Sequence, residues 1–559
     1  MKMKRFLTIG AAIALAFGFA SCNKDKSNEP DTPIEGGDTY VGLSLKFPGA
    51  DNGLKAFPDE NYNSVAGSWK GRDDIQDIAV YLVTAGKAVT SEYFTKTDFN
   101  GIDENGMLTP RLAVEAVAGE DVSAYVIINA STQITEALKA AGWELGKKVD
   151  EGTKPTSGFD AAFNQAIQLS AVSDVAKYDN DKQKDIIMMT NEVAPAKENG
   201  GLISVNEGIT AEAAKNGTDN QIKVNVVRVA SRAIVTMAAD ATTNPIVVKR
   251  KNLTTGVVEE TAQVKITNVQ YVATGSSLQL HPIQPVAADG ATHLVAPKGI
   301  YDFMPGGTYW TDFQGTGGVK VDGTTSLADS KTLFAYADSY SAVTEMATYT
   351  PSEAEIVKAL EAEPTSKFLL PVTHADDKYR KGNTSFFTIR ATFTAHNKVD
   401  GAFVEVKPGA DNSLYLGKTD GKFYTTADKA KMKDEAYVGG TVTDDNAQQE
   451  IVKYTGGVMF YNIWINPDKP YAGTEKITKS PVYRNQVYHA HISGFKEIGL
   501  NWTPNNDPET PDDPDTPDDP DDPFDPEDPL ETEKTYLSVQ LKVLNYNLHS
   551  YKVDLGNRY

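Results

Sequence analysis

The chain has 559 residues and a formal net charge of −22, from 76 Asp or Glu against 54 Lys or Arg. Nucleic-acid affinity rests on neutralising phosphates, so this acidic balance excludes a nucleic-acid partner. The single cysteine, Cys22, rules out an internal disulfide and a cysteine-based zinc site, leaving stability to core burial.

Residues 1–21 read as an export signal. Lys2, Lys4 and Arg5 precede an apolar stretch from Phe6 to Phe19, a positive region followed by a short hydrophobic one. The stretch falls short of the ~20 residues of a membrane-spanning helix. Ala20, Ser21 and Cys22 then resemble a lipoprotein cleavage site. On that reading Cys22 is lipidated and holds the precursor at the outer membrane. The other reading is an ordinary secretory signal with an incidental cysteine. Residues 22–38 are polar, with Pro30, Pro33, Gly36 and Gly37, and read as a disordered tether.

The first strand is expected at 39–47, TYVGLSLKF. Val41, Leu43, Leu45 and Phe47 alternate with polar or small residues, the period of a half-buried strand. After a Gly-, Asn- and Asp-rich stretch, two domains are expected at 56–222 and 223–502. Strand-like runs dominate both, at 78–84, 124–128, 222–227, 233–237, 264–273, 386–394, 457–465 and 486–492. The boundary is placed after the turn-rich KNGTDN of 215–220, where the run KVNVVRVASRAIVTMAA begins. Two short helices are expected, at 132–142 and at 352–363, the latter opened by a Ser352/Glu355 capping pattern. Many short strands between Gly, Asn and Asp turns indicate a mainly β protein of sandwich or barrel domains.

Residues 503–534 form an acidic Pro/Asp linker. Proline recurs every third position from 508 to 529, and 507–533 holds fourteen Asp or Glu and no Lys or Arg. A period of three suits polyproline II, so the segment is expected to be a rod reaching on the order of 80 Å. It lacks the glycine turn and ligand spacing of an EF-hand loop. The 25 residues at 535–559 are too few for a core of their own and are expected to need another sheet.

That tail echoes the first strand. TYLSVQLKV at 535–543 repeats Thr39, Tyr40, Leu45 and Lys46 as Thr535, Tyr536, Leu541 and Lys542. Its apolar face, Leu537, Val539, Leu541 and Val543, mimics Val41, Leu43, Leu45 and Phe47. Either the tail pairs within its own molecule, or it replaces the first strand in a neighbour.

Little else points to chemistry. Of seven histidines only His489 and His491 are close in sequence. They share a face of a strand without a third ligand in view, and are expected to face solvent. QGTGGVK at 314–320 has neither the spacing of a phosphate loop nor the helix that a dinucleotide loop requires, and reads as a turn. No nucleophile elbow occurs. We assign no catalytic residue, metal site or cofactor, and expect a non-enzyme.

Four stretches carry a family resemblance: FASC at 19–22 followed by TYVGLSLKFP, YNSVAGSWKGRDDIQDIAVYLV at 62–83, VYRNQVYHAHISGFKEIG at 482–499, and YLSVQLKVLNYNLHSYKVDL at 536–555. With them the chain resembles the fimbrillin family of type V pili, in its minor-fimbrium (Mfa-type) branch. The resemblance implies lipoprotein export, two transthyretin-like β-sandwich domains, and proteolysis after the first strand. It further implies that the C-terminal strand of another copy fills the vacated groove, giving a surface homopolymer completed by accessory tip and anchor subunits. Better-known members are cut after arginine. Here the first arginine beyond the signal is Arg72, and Lys55 sits where the cut is expected. Lys55 is therefore the expected processing site, with Arg72 as the alternative. A monomeric surface lipoprotein binding glycan or host protein, or an anchor subunit keeping strand and lipid, are the competing readings.

Overall fold

The computed structural model describes residues 39–47, 73–103, 106–146, 158–192, 195, 201–252, 255–283, 327–346, 367–372, 374, 379–468, 476–505, 525–530, 544–545 and 548–555. The protein is mainly β, as its strand runs require. All eight strand runs named above coincide with strands, the strand at 457–465 being one residue shorter at each end than its run. The helix expected at 132–142 forms over Thr132–Ala140, with the Ser131 side chain accepting from the Ile134 N–H. The helix expected at 352–363 and the turn at 314–320 lie outside the described residues.

The first half is built on an eight-stranded sheet. Its strands are β1 (Thr39–Lys46), β2 (Asp77–Thr84), β3 (Lys87–Thr95), β4 (Leu112–Ala116), β5 (Asp121–Ile128), β6 (Met189–Asn191), β7 (Ile203–Ser204) and β8 (Gln221–Arg228). Their order is β3-β2-β5-β6-β8-β1-β4, with β7 beside β5. The two outermost strands of this order approach each other, as the Thr90 hydroxyl donates to the Glu115 carbonyl at 2.7 Å. The sheet thus rolls around a core of Val41, Leu43, Leu45, Val80, Leu82, Val114, Val126 and Val224. Its outer face is covered by α1 (Thr132–Ala140) and α2 (Phe159–Phe163), which bury Tyr81, Tyr125, Ile134, Phe159 and Phe163.

The second half is a sandwich. One sheet contains β9 (Ser231–Met237) and β15 (Gln486–Phe495), paired in parallel. The other contains β10 (Ile246–Lys251), β11 (Val258–Thr274), β12 (Phe386–Val399), β13 (Ala402–Val406) and β14 (Val458–Trp464). Tyr271, Phe387, Ile389, Tyr461 and Ile463 share one core with Val235, Tyr488 and Ile492.

The expected domain edge at 222/223 falls inside β8, which pairs with β1 and β6 in the first sheet. The chain crosses between sheets at Val229 and Ala230, both fully buried. Two flanking arginines make this crossing hard to see. Arg228 grips Asp73 through Nε at 3.0 Å and through Nη2. Arg232 lies 3.7 Å from Asp185, with both side chains fully buried. These charges are neutralised inside the junction. Arg484 adds bonds to the carbonyls of Pro282 at 2.9 Å and His281 at 2.6 Å, and burial holds its pKa down at about 9.

Two further expectations are corrected. The acidic linker does not project its far end towards a neighbour. The Lys381 and Gly382 N–H groups donate to the carbonyls of Asp528 and Pro526, each at 2.9 Å. Lys381 Nζ pairs with Asp528 at 2.9 Å, and Leu530 is 1% exposed within the sandwich core. A Cβ on Gly382 would lie 2.4 Å from Pro526 Cβ, so this docking requires glycine there. The near end is also held, Asn505 Nδ2 donating to the Tyr336 carbonyl at 2.9 Å. The Tyr336 hydroxyl in turn donates to the Gly382 carbonyl at 3.0 Å. One tyrosine thus bridges both ends of the acidic run, whose separation is far below the span of a straight rod.

Nor does the tail depend wholly on another molecule's sheet. β16 (Leu548–Leu555) pairs in parallel with β15 of the same chain, from Val487↔Leu548 to Phe495↔Leu555.

Candidate functional site

The seat of β1 is the feature that both ends of the sequence point to. β1 is an interior strand. It runs parallel to β8, with Leu43 opposite Ile222 and Leu45 opposite Val224. It runs antiparallel to β4, with Val41 opposite Val114 and Leu43 opposite Leu112. Val41, Leu43 and Leu45 are 0% exposed and Phe47 is 4% exposed, so the alternating face read from the sequence is the buried face.

A clamp closes over the start of the strand. The Thr39 hydroxyl donates to the Asn206 carbonyl at 2.7 Å and accepts from the Ile209 N–H at 3.2 Å. The Tyr40 N–H donates to the Ile209 carbonyl at 2.9 Å, and the Gly42 N–H to the Asn220 carbonyl at 2.8 Å. Asn220 takes a left-handed φ of 47° and turns its amide to the Tyr40 carbonyl at 3.1 Å. The KNGTDN stretch read as a domain boundary is thus the clamp's turn. Beside it, α3 (Ala211–Asn216), capped by the Thr210 hydroxyl, lies across β1 and buries Ala214 completely. At the other end, burial and then Lys223 hold the Lys46 ammonium below the ordinary lysine range, with Glu192 opposing them.

Within β1, Thr39 supplies both hydroxyl bonds, the Tyr40 backbone continues them, and Leu45 fills the core. Sequence reasoning missed Gly42, Asn206, Ile209, Ala214 and Asn220. Their only sequence signals are the repeated Thr-Tyr and the Asn-rich turn.

The remaining site expectations are placed as follows. Cys22, Lys55, Arg72, Leu537, Val539, Leu541 and Val543 lie outside the described residues. His489 and His491 do not face solvent as expected. They are 0% and 2% exposed and both meet the Thr236 hydroxyl, at 2.6 Å and 2.9 Å. One hydroxyl has one proton to give, so at most one imidazole accepts from Thr236 and at least one donates to it. Burial, then the charge of His491, holds His489 down at about 3. Among the described residues no group of three or more His, Cys, Asp or Glu could hold a metal ion. A cleft of ≈ 520 Å³ beside α1 is lined by Gln133, Gln165, Gln168, Ile167 and alanines, with no charged side chain.

The chain is similar in sequence to known fimbrial proteins. Residues 452–552 match the family described as major fimbrial subunit protein type IV, Fimbrillin, C-terminal. The chain is 29% identical over 571 residues to the minor fimbrium subunit Mfa1 of Porphyromonas gingivalis, covering 99% of this chain and 100% of that one. Among solved structures, a fimbrilin (fimA) from Porphyromonas gingivalis W83 aligns over 93% of this chain and 99% of its own at 11% identity, with a TM-score of 0.31. The tip fimbrial protein Mfa3 from Porphyromonas gingivalis, with C-terminal truncation, aligns over 83% and 100% at 10% identity, with a TM-score of 0.31. With the full-length relative and the C-terminal family match together, this chain is similar to the fimbrillin family, on the side of the minor fimbrium subunits.

Proposed function

We propose that the protein is the repeating stalk subunit of an adhesive surface fimbrium, polymerised by strand exchange. The precursor is exported as an outer-membrane lipoprotein through Cys22. Proteolysis within 48–72, at Lys55 or else Arg72, frees β1 with its lipid. Residues 535–543 of a second copy then fill the seat, with Leu537, Val539, Leu541 and Val543 replacing Val41, Leu43, Leu45 and Phe47. Added strands draw affinity from ladder hydrogen bonds and specificity from alternate side-chain pockets. Accessory tip and anchor subunits complete the fibre, and no catalytic role is assigned.

One observation carries the reading. A strand paired on both edges, with its apolar face in the core, is followed within 25 residues by a segment rich in Gly, Asn and Asp. Losing four buried apolar side chains would forfeit roughly 6–12 kcal/mol of burial at about 1.5–3 kcal/mol each, which a matching strand restores. N-terminal sequencing of surface polymer tests this. A start between 48 and 73 is expected. A start at Cys22 would make the protein an anchor.

The second reading is a monomeric surface lipoprotein binding glycan or host protein. The pairing of β16 with β15 of its own chain is the observation on its side.

A further inference from the structure

Gly42 is the one residue of β1 whose side-chain position is already occupied. A Cβ built there would lie 2.0 Å from the Ala214 carbonyl oxygen, and 2.4 Å and 2.7 Å from Gln221 Nε2 and Oε1. A flexible amide can swing aside, but the Ala214 oxygen is backbone, near the end of α3. That end is fastened. Gln221 Nε2 donates to Ala214 O at 2.8 Å. Arg111 Nη1 donates to Gln221 Oε1 at 2.9 Å and to the Gly217 carbonyl at 3.0 Å.

The segment TYLSVQLKV contains no glycine. Shifting its register by one residue would turn Leu537, Val539, Leu541 and Val543 away from the core. Every register that keeps them inward places Tyr536, Ser538, Gln540 or Lys542 at position 42. Serine is the smallest, and it is also the residue that the Thr39/Thr535 alignment sets there. So the best register of the incoming strand still carries a side chain into the Ala214 carbonyl.

We infer that position 42 is a specificity-determining seat, and that residues 535–543 of a second copy occupy the groove only with α3 displaced from its place over β1. The inference rests on the exchange reading above and adds an element to it. Part of what holds α3 there is β1 itself. Thr39 and Tyr40 bond Ile209, immediately before the helix cap. Departure of β1 removes those ties, leaving Gln221 and Arg111. The resident strand, with glycine at the seat and Phe47 at its end, fits the closed groove. The donor, with Ser538 and Val543, fits only the opened one. Exchange is therefore biased towards subunits that have already lost β1.

The test uses the full-length chain carrying Val539→Asp and Leu541→Asp, cleaved within 48–72, as acceptor. Synthetic peptides of residues 533–545 serve as donors. Binding of the unmodified peptide should raise amide exchange of 211–216, and a Ser538→Gly peptide should bind about tenfold tighter without that rise. Glycine's greater loss of chain freedom alone would instead weaken binding about two- to fivefold. If the unmodified peptide binds while 211–216 stays protected and Ser538→Gly binds no tighter, the seat inference is overturned and exchange stands. If the unmodified peptide does not bind at all, the exchange reading falls and the seat inference with it. Gly42→Ser in the uncleaved chain supplies the converse arm: 211–216 should exchange faster than in the parent chain, and unchanged protection would overturn the seat.

Discussion

The Trp464 indole N–H donates to the carbonyl of Leu530 at 3.0 Å, fastening the far end of the acidic run onto the sandwich that precedes it. Only residues 531–534 then separate this anchor from the segment that echoes β1. On the exchange reading, the starting point of the donor strand would be set by Trp464, Lys381 and Gly382, and not by the length of the Pro/Asp repeat.

Two outcomes follow for the linker. Removing 511–519 should leave elongation within about twofold, because loop length enters closure only logarithmically and both ends stay on Tyr336 and Gly382. Leu530→Ala truncates a buried side chain of a kind worth about 2–5 kcal/mol. It should release 525–530, seen as new protease cleavage there, while the sandwich stays folded. A shortened repeat that abolishes elongation would restore the rod as the reach of the tail.

A pH dependence is built into the second half. Burial holds His374 at about 4, and burial with His491 holds His489 at about 3. The ordinary value for histidine is near 6.5. The unfolded chain therefore takes up protons that the folded chain refuses. Stability is full above about pH 6.5 and falls as pH drops towards 4 and then 3. Each histidine contributes a slope approaching about 1.4 kcal/mol per pH unit. Denaturant midpoints between pH 7 and pH 4 should show this fall. His489→Gln, which keeps a polar partner for Thr236, should reduce the slope by up to about 1.4 kcal/mol per pH unit. An unchanged slope would place the acid sensitivity elsewhere.

What the sequence made legible was whatever depends on local pattern. Long β-branched runs marked the main strands, and the alternation of 39–47 named its buried face. What it hid depends on contacts distant in the chain. Val229 and Ala230 pass between sheets without Gly or Pro, because Arg228 and Arg232 are neutralised by Asp73 and Asp185. The histidine pair reads as exposed until Thr236, some 253 residues away, is set beside it. The docking of the linker's far end is hidden until Leu530 finds Trp464, and Gly42 looks unremarkable until α3 is laid across it.

Maturation gives a third test. Cys22→Ala should leave unlipidated precursor, read as loss of fatty-acid labelling and retention of the signal. Lys55→Gln combined with Arg72→Gln should leave β1 attached, and Lys55→Gln alone should move the new N-terminus to the Arg72 site. Processing of the double variant at its normal position would assign the cut to neither residue.

The last prediction concerns the donor face itself. Val539→Asp with Leu541→Asp would place two carboxylates where Leu43 and Leu45 are 0% exposed. A buried, unpartnered carboxylate is strongly disfavoured, so the double variant should remain a folded monomer that cannot elongate. Substituting Gln540 with Ala, opposite that face, should change elongation by no more than about threefold. These point variants discriminate better than deleting 535–559. That deletion also strips β16 from β15 and bares an edge strand prone to non-specific pairing, so aggregation would mask a loss of ordered growth. Sedimentation together with negative-stain microscopy separates the outcomes. Fibres of normal length from the double variant would remove 535–543 as donor and leave its likeness to β1 without a function.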